Sequence, residues 1–430
     1  MQCSRWWILV AALPVGCGSS SGGGSGSDAG SSDVRTTPHP DGGQHGKDGG
    51  APTDAGASHK DVGTSADTGG QPGDAGGTPT GDGSVVGYVP GGQVGPGTIV
   101  SGCEIFPKDN AWNVAVDGPD VPITSAYTGL PQGTHLHPDL GAWAADAGGP
   151  YGIPYNVVPA TQAFVKTTFG CFADQSDPGP GGWTSGPAAG NLCPAYGGGE
   201  EGVTTYPFFT GMKIEGDPGS GGTVGGLAGD QHALILQQAA AGAACTSWEA
   251  WNCIGSPAPF TCANGAKWNL GSNALRTLGW TSADLAGLSI FAGLLRISEL
   301  KSGTITHALR VTFNSTQAGY VYPATHAATS GSALGGSDPP MGLRLRMKAS
   351  FDTSSLSDSG KIVAAGMKKY GLIVADIGSD WFFQGDSDDH WNDNAADGHA
   401  YLSDLLSDFD NVTGAAFEVV DTGAPMSAGL

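Results

Sequence analysis

The sequence predicts a mainly β fold: a single β-sandwich or jelly-roll-like domain with two or three inserted helices, a mixed α+β fold being the alternative. Two observations predict it. Strand-like runs recur at short spacing, punctuated by glycine, proline and asparagine. Segments with helical periodicity are few.

Domain organisation follows from the N-terminus onward. The chain opens MQCSRWWILVAALPVGC, with Arg5 as a short positive region and Trp6 to Leu13 as an apolar one. Residues 1–17 therefore read as a secretory signal, too short to be a membrane span. The ending LPVGC resembles a bacterial lipoprotein box, which implies acylation of Cys17. Residues 18–98 are almost entirely Gly, Ser, Asp, Thr, Ala and Pro. Such a composition cannot bury enough apolar surface to offset ordering entropy, so a disordered tether is expected there. A single globular domain is expected over 99–430.

Within that domain the expected strands are Gly152 to Pro159, Ala163 to Phe169, Ala233 to Gln237, Ile305 to Phe313, Gly319 to Tyr322, Leu343 to Lys348 and Ala416 to Val420. In LRLRMK, alternation sends Leu343, Leu345 and Met347 one way and Arg344, Arg346 and Lys348 the other. One helix is expected after the cap Thr281 or Ser282, over Ala283 to Leu288. A second covers Ser359 to Tyr370, with Ile362, Val363, Ala365 and Met367 as its apolar face and Gly371 closing it. A third covers His399 to Ser407.

Composition excludes several functions. Lys and Arg total 18 against 40 Asp and Glu, a net charge of −22, so the chain lacks the basic patch that grips nucleic acid. No apolar run beyond the N-terminus is long enough for a multi-span membrane protein. Glycine supplies 74 of 430 residues without a period of three, which rules out collagen. After Cys3 and Cys17, six cysteines remain, and an even number in an exported domain suggests disulfides. No C-x-x-C pair, P-loop or HExxH occurs, and GxSxG is missing around Ser282.

Several stretches together resemble a largely uncharacterised family of secreted bacterial and fungal proteins. They include DNAWN from Asp109, LHPDLG from Leu136, GIPYNVV from Gly152, IEG at Ile214 and DQH at Asp230. Further along stand GWTSADLAGL from Gly279, ITHALRVTF from Ile305, YPATHAAT from Tyr322, PPMGLRLRMKASFD from Pro339 and KKYGLIVADIGSDW from Lys368. The resemblance covers nearly all of 104–421 and implies one domain. It implies no settled activity.

Chemistry is sought among the acids and histidines. Glu215 and Asp230 flank a glycine-rich stretch, so both carboxylates could face one cleft, as glycoside hydrolysis requires. Glu299, before a turn, is a third catalytic candidate. His232, His307, Arg310 and His326 are candidate substrate-binding groups, and Arg310 could pair with a buried acid such as Asp284. Trp381 and Trp391 are candidates for stacking on sugar rings. His137 and Asp139, with His232, could ligate a metal. After Lys369 the chain has twelve acids and no lysine or arginine. There Asp386, Asp388, Asp389 and Asp393 have the short Asp/Asn spacing of calcium loops, though not of an EF-hand.

The expected function is that of an exported, lipid-anchored, carbohydrate-active protein that hydrolyses glycosidic bonds through paired carboxylates. A strongly acidic chain repels polyanions, so the expected partner is a neutral polysaccharide. Two rivals are a non-catalytic glycan-binding or adhesion module and a metal-dependent hydrolase or oxidase. Ca²⁺ is the one cofactor suggested; a lipid anchor is the expected membrane attachment.

Overall fold

The run ALILQ forms the strand Ala233–Gln237, and its alternation explains why the fold is layered. Ala233 and Ile235 pack with Phe169, Tyr206, Trp248 and Phe260, whereas Leu234 and Leu236 pack with Phe291, Leu309 and Val311. A strand with apolar residues on both faces must lie between two layers. The computed structural model describes residues 89–141, 152–170, 172–186, 202–216, 230–254 and 259–427. The signal over 1–17 with Cys17, and the expected tether as far as residue 88, lie outside the described residues.

The middle layer is a four-stranded sheet ordered Asn264–Asn269, Thr246–Trp251, Ala233–Gln237, Tyr155–Val158. On one side stands a three-stranded sheet of Phe260–Cys262, Val165–Phe169 and Gly202–Tyr206. On the other stands a seven-stranded sheet. Its order is Ile123–Thr124, Phe417–Val420, Arg344–Met347, Leu372–Ile377, Leu309–Phe313, Phe382–Ser387, His137–Gly141. Leu309–Phe313 runs parallel to Leu372–Ile377, and Phe382–Ser387 parallel to His137–Gly141; the other described pairings of this sheet are antiparallel. The fold is mainly β, as the strand-rich sequence predicts.

Four short α-helices accompany the sheets among the described residues: α1 Ile290–Gly293, α2 Ile297–Ser302, α3 Asp358–Lys369 and α4 Tyr401–Phe409. Helix α3 lies where its pattern predicts. Ser357 Oγ accepts from Gly360 N, and Lys368 and Lys369 sit at the negative end of the helix dipole. Of the expected apolar face Val363 and Met367 are buried and Ile362 is half-buried, but Ala365 is exposed and Ala364 takes its place in the core. Gly371 follows at φ +73°, and a Cβ there would strike the carbonyl of Leu345.

The helix expected over Ala283 to Leu288 does not form. Ser282 Oγ donates to the carbonyls of Asp284 (2.9 Å) and Leu288 (2.6 Å), and Gly287 adopts φ +70°. Side-chain bonds of this kind compete with the helical ladder. The helical segment starts instead at Ile290, capped by Ser289 Oγ. Arg344 also departs from expectation, because it is buried. Its guanidinium donates to the carbonyls of Tyr370, Ala111 and Val114 at 2.7, 2.7 and 2.9 Å. Burial without a carboxylate lowers it to about 9.

The described residues begin at Val89, inside the stretch expected as tether. Val89 packs with Val114, Val116, Val121 and Val420. Among the described residues two disulfides are formed, Cys103–Cys245 and Cys253–Cys262. Cys171 and Cys193 lie outside the described residues. Among the described residues no helix is long and apolar enough to cross a membrane.

Candidate active site

Glu215 and His232 are tied through both backbone and side chain. Glu215 N donates to His232 O at 3.0 Å, His232 N donates to Glu215 Oε2 at 3.2 Å, and His232 Nδ1 lies 2.6 Å from the same oxygen. The other ring nitrogen, Nε2, is 3.2 Å from the carbonyl of Ala283. Both nitrogens thus face acceptors, which favours the imidazolium. Burial alone would lower the imidazole, but Glu215 dominates, and His232 is raised to about 9. Burial likewise pushes Glu215 up, and His232 more than offsets this, so its carboxyl lies below the usual value.

A second pair lies beside the first. The loop after Thr281 is folded by Ser282 so that Asp284, which is fully buried, meets Arg310. Arg310 Nη2 is 2.6 Å from Asp284 Oδ1, and Nε is 3.3 Å from Oδ2. The same Nη2 is 3.8 Å from Asp376 Oδ2. Burial and the neighbouring Asp284 push Asp376 well above the usual carboxylate range.

Asp139 connects the pairs. It is opposite Gln384 on the adjacent strand and accepts from Gln384 Nε2 at 3.3 Å. Val311 and Thr312 pair with Phe383 and Phe382, so the antiparallel register sets Arg310 opposite Gln384. Asp139, Gln384 and Arg310 therefore form a row across three neighbouring strands, on one face, at strand spacings of about 4.8 Å. Burial, then the nearby charge of Glu215, pushes Asp139 up to about 7, with Gln384 and Arg310 opposing. Asp230 is exposed, at the solvent side of the group. Burial of its carboxyl and the charge of Glu215 raise it, against the pull of His232. Solvent screens these effects at an exposed side chain. Gln231, between Asp230 and His232, holds φ +59°, a strained conformation for a buried glutamine.

The cluster thus has a buried floor of Glu215, His232, Asp284 and Arg310 and a half-buried flank of Asp139, Asp376 and Gln384. A carboxyl raised to about 7, Asp139, and one held below the usual value, Glu215, stand near each other in it. Divergent environments for two carboxyl groups are how acid and base roles are assigned within one site. An open groove of about 560 Å³ lies elsewhere, beside the Cys103–Cys245 disulfide. Among its lining side chains Glu104 is the one acid, so it offers no paired chemistry.

Of the residues expected to act, Glu215, Asp230, His232, Arg310 and Asp139 come together. The others do not join them. Glu299 belongs to a separate buried group, where Oε2 accepts from Arg296 N at 2.9 Å and Oε1 is 2.8 Å from His307 Nε2. It closes the capping box of α2, apart from Glu215 and Asp230. His307 is spent on Glu299 and on the carbonyl of Ala308, and His326 Nδ1 lies 2.8 Å from the carbonyl of Leu285. His307 is buried and His326 half-buried, and neither belongs to the Glu215–Asp139 group. Trp381 and Trp391 are fully buried, so neither can stack on a sugar ring. Their indole N–H groups donate to Pro131 O and to Asp386.

The expected metal sets are not assembled either. Asp386 Oδ1 accepts from Trp391 Nε1 (2.9 Å) and Ile297 N (3.3 Å), and burial pushes its carboxyl up to about 7. Asp388 accepts from His390 N, Asp393 pairs with Lys301 at 2.8 Å, and Asp389 is exposed. These four carboxylates answer different partners and do not form a calcium loop. The ring of His137 lies on Phe382, centroids 4.3 Å apart. Among the described residues the ligand atoms of three or more His, Cys, Asp or Glu converge at Asp397, His399 and Asp404 alone, which leaves out His137, Asp139 and His232.

Sequence reasoning missed Gln384 and the roles of Asp376 and Asp139 in this cluster. No local signal marks them, since a strand register brings them together. The chain matches no family model, no curated protein and no solved structure.

Proposed function

We propose that this chain hydrolyses glycosidic bonds of a neutral polysaccharide, with Asp139 as the proton donor and Glu215 as the ionised partner. The observation that carries the reading is the divergence of these two carboxyls: Asp139 is raised to about 7 while His232 holds Glu215 down. A protonated acid delivers its proton to the leaving oxygen, and an ionised carboxylate supports the positive charge or the attacking water. Asp230, exposed beside the pair, is a second acid open to solvent. The net charge of −22 disfavours polyuronates and other polyanions.

The same reading makes the chain an exported lipoprotein. The signal-like segment ending at Cys17 and two disulfides support it, because disulfides persist in oxidising compartments. Purified chain incubated with xylan, mannan, β-glucans and starch should release reducing ends from at least one of them. Asp139→Asn and Glu215→Gln should each lower that rate by about 100-fold or more while the fold melts normally. Binding without release across the panel would favour the glycan-binding module instead.

A further inference from the structure

Two buried polar atoms of the cluster have no hydrogen-bond partner among the described residues: Arg310 Nη1 and Gln384 Oε1. Arg310 is 1% exposed, so its unpaired N–H is shut away from bulk water. Leaving such a group unsatisfied costs about 1–3 kcal/mol, which makes a missing partner the expected explanation. One atom is a donor and the other an acceptor. They belong to residues that face each other on adjacent strands, next to Asp139.

From this juxtaposition of an unpaired donor and an unpaired acceptor, we infer that Arg310 and Gln384 form a subsite for a neutral sugar hydroxyl beside Asp139. A hydroxyl oxygen accepts from Arg310 Nη1, and its hydrogen is donated to Gln384 Oε1. Charge selects the ligand class further. The positive charge of Arg310 is already met by Asp284, and Asp139, Glu215, Asp230 and Asp376 crowd the same space. An anionic group would face this excess of carboxyls, whereas a hydroxyl is neutral and fits both orphaned atoms. Gln384 Nε2 holds Asp139 in place, so the subsite would position the sugar directly against the proposed proton donor.

The inference rests on the glycan reading of the site, and the two can fail separately. Full-length Glu215→Gln protein, slow to turn over, would be titrated calorimetrically with cellohexaose, xylohexaose, mannohexaose, maltohexaose and laminarihexaose, and with hexagalacturonate as an anionic probe. At least one neutral hexasaccharide should bind. Adding Gln384→Met, which keeps the volume but removes the acceptor, should weaken that binding by about tenfold or more. Gln384→Glu retains an acceptor and should bind better than Gln384→Met. Equal binding with and without Gln384→Met, preference for hexagalacturonate, or no binding by any probe would overturn the subsite and leave the two atoms to an internal water only. Gln384-dependent binding in a chain whose native form releases no reducing ends would sink the hydrolase reading and keep the subsite. Turnover whose KM ignores Gln384→Met would do the reverse.

Discussion

Glu215 Oε2 and His232 Nδ1 lie 2.6 Å apart, both in the interior, and this pair sets the charge of the whole cluster. It leaves Glu215 ionised and His232 protonated at neutral pH. Burial, with the charge of Glu215 added, then raises Asp139 to about 7. Removing one member of a buried pair leaves an uncompensated charge. His232→Gln should therefore cost about 3–5 kcal/mol in urea unfolding. The same variant should raise the carboxyl of Glu215, visible as an upward move of the acidic limb of any activity profile.

Arg310 and Asp284 form a second buried pair, and the cost of breaking it should be shared rather than additive. Arg310→Met and Asp284→Asn should each destabilise by about 3–5 kcal/mol. The double variant should cost clearly less than their sum, because each single change strands the other charge. Chemical unfolding of the four proteins measures the coupling directly; simple additivity would mean that the two side chains act independently.

Stability should peak at mildly acidic pH. His232 is raised to about 9, so its contribution is fully present below its unfolded value near ~6.5 and is lost as pH rises through 9. Asp139 and Asp386 are raised to about 7, so the fold loses stability as pH climbs from roughly 4 through 7. Glu215 is lowered, so its contribution is present above an unfolded value near ~4.3 and is lost as pH falls. Thermal melting across pH 4 to 10 should give its highest Tm near about pH 5 and fall steadily above about pH 7.

Chelation should not loosen the acidic C-terminal stretch. Asp386, Asp388 and Asp393 already serve Trp391, His390 and Lys301. EDTA should leave Tm unchanged. Asp386→Leu should lower stability by about 1–3 kcal/mol, because Ile297 N loses its acceptor and the Trp391 indole keeps only the residue-386 carbonyl, whereas Asp393→Ala at the exposed pair should cost no more than about 1 kcal/mol.

The two disulfides should differ in weight. Cys103–Cys245 closes 142 residues and Cys253–Cys262 only 9. The chain-entropy relation gives about 5 kcal/mol for the first and about 2.5 for the second. Paired alanine replacements compared by denaturant melts should reproduce that order.

Much of the fold was legible because its signals are local. ALILQ shows its burial, Ser357 to Gly371 shows a cap, an apolar face and a terminator, and DQH marks two of the cluster residues. Where sequence reading failed, the competing physics was tertiary. Ser282 and Gly287 fold a helix-like run into a turn. Arg344 trades solvent for three carbonyls that lie far away in the chain. Trp381 and Trp391 stand in an acidic, polar neighbourhood, yet both are core residues. Asp139 looked like half of a ligand pair with His137, and only the register with Gln384 and Arg310 reveals it as an isolated acid near a fixed carboxylate.

The most direct test of the central claim is the pH dependence of kcat/KM on whichever neutral glycan the chain cleaves, measured for the native protein and for Asp139→Asn. Native activity should fall above about pH 7, where Asp139 loses its proton, and the residual activity of Asp139→Asn should lack that limb. A native profile that stays level through pH 9, or an alkaline limb that survives in Asp139→Asn, would contradict the assignment of Asp139 as the proton donor.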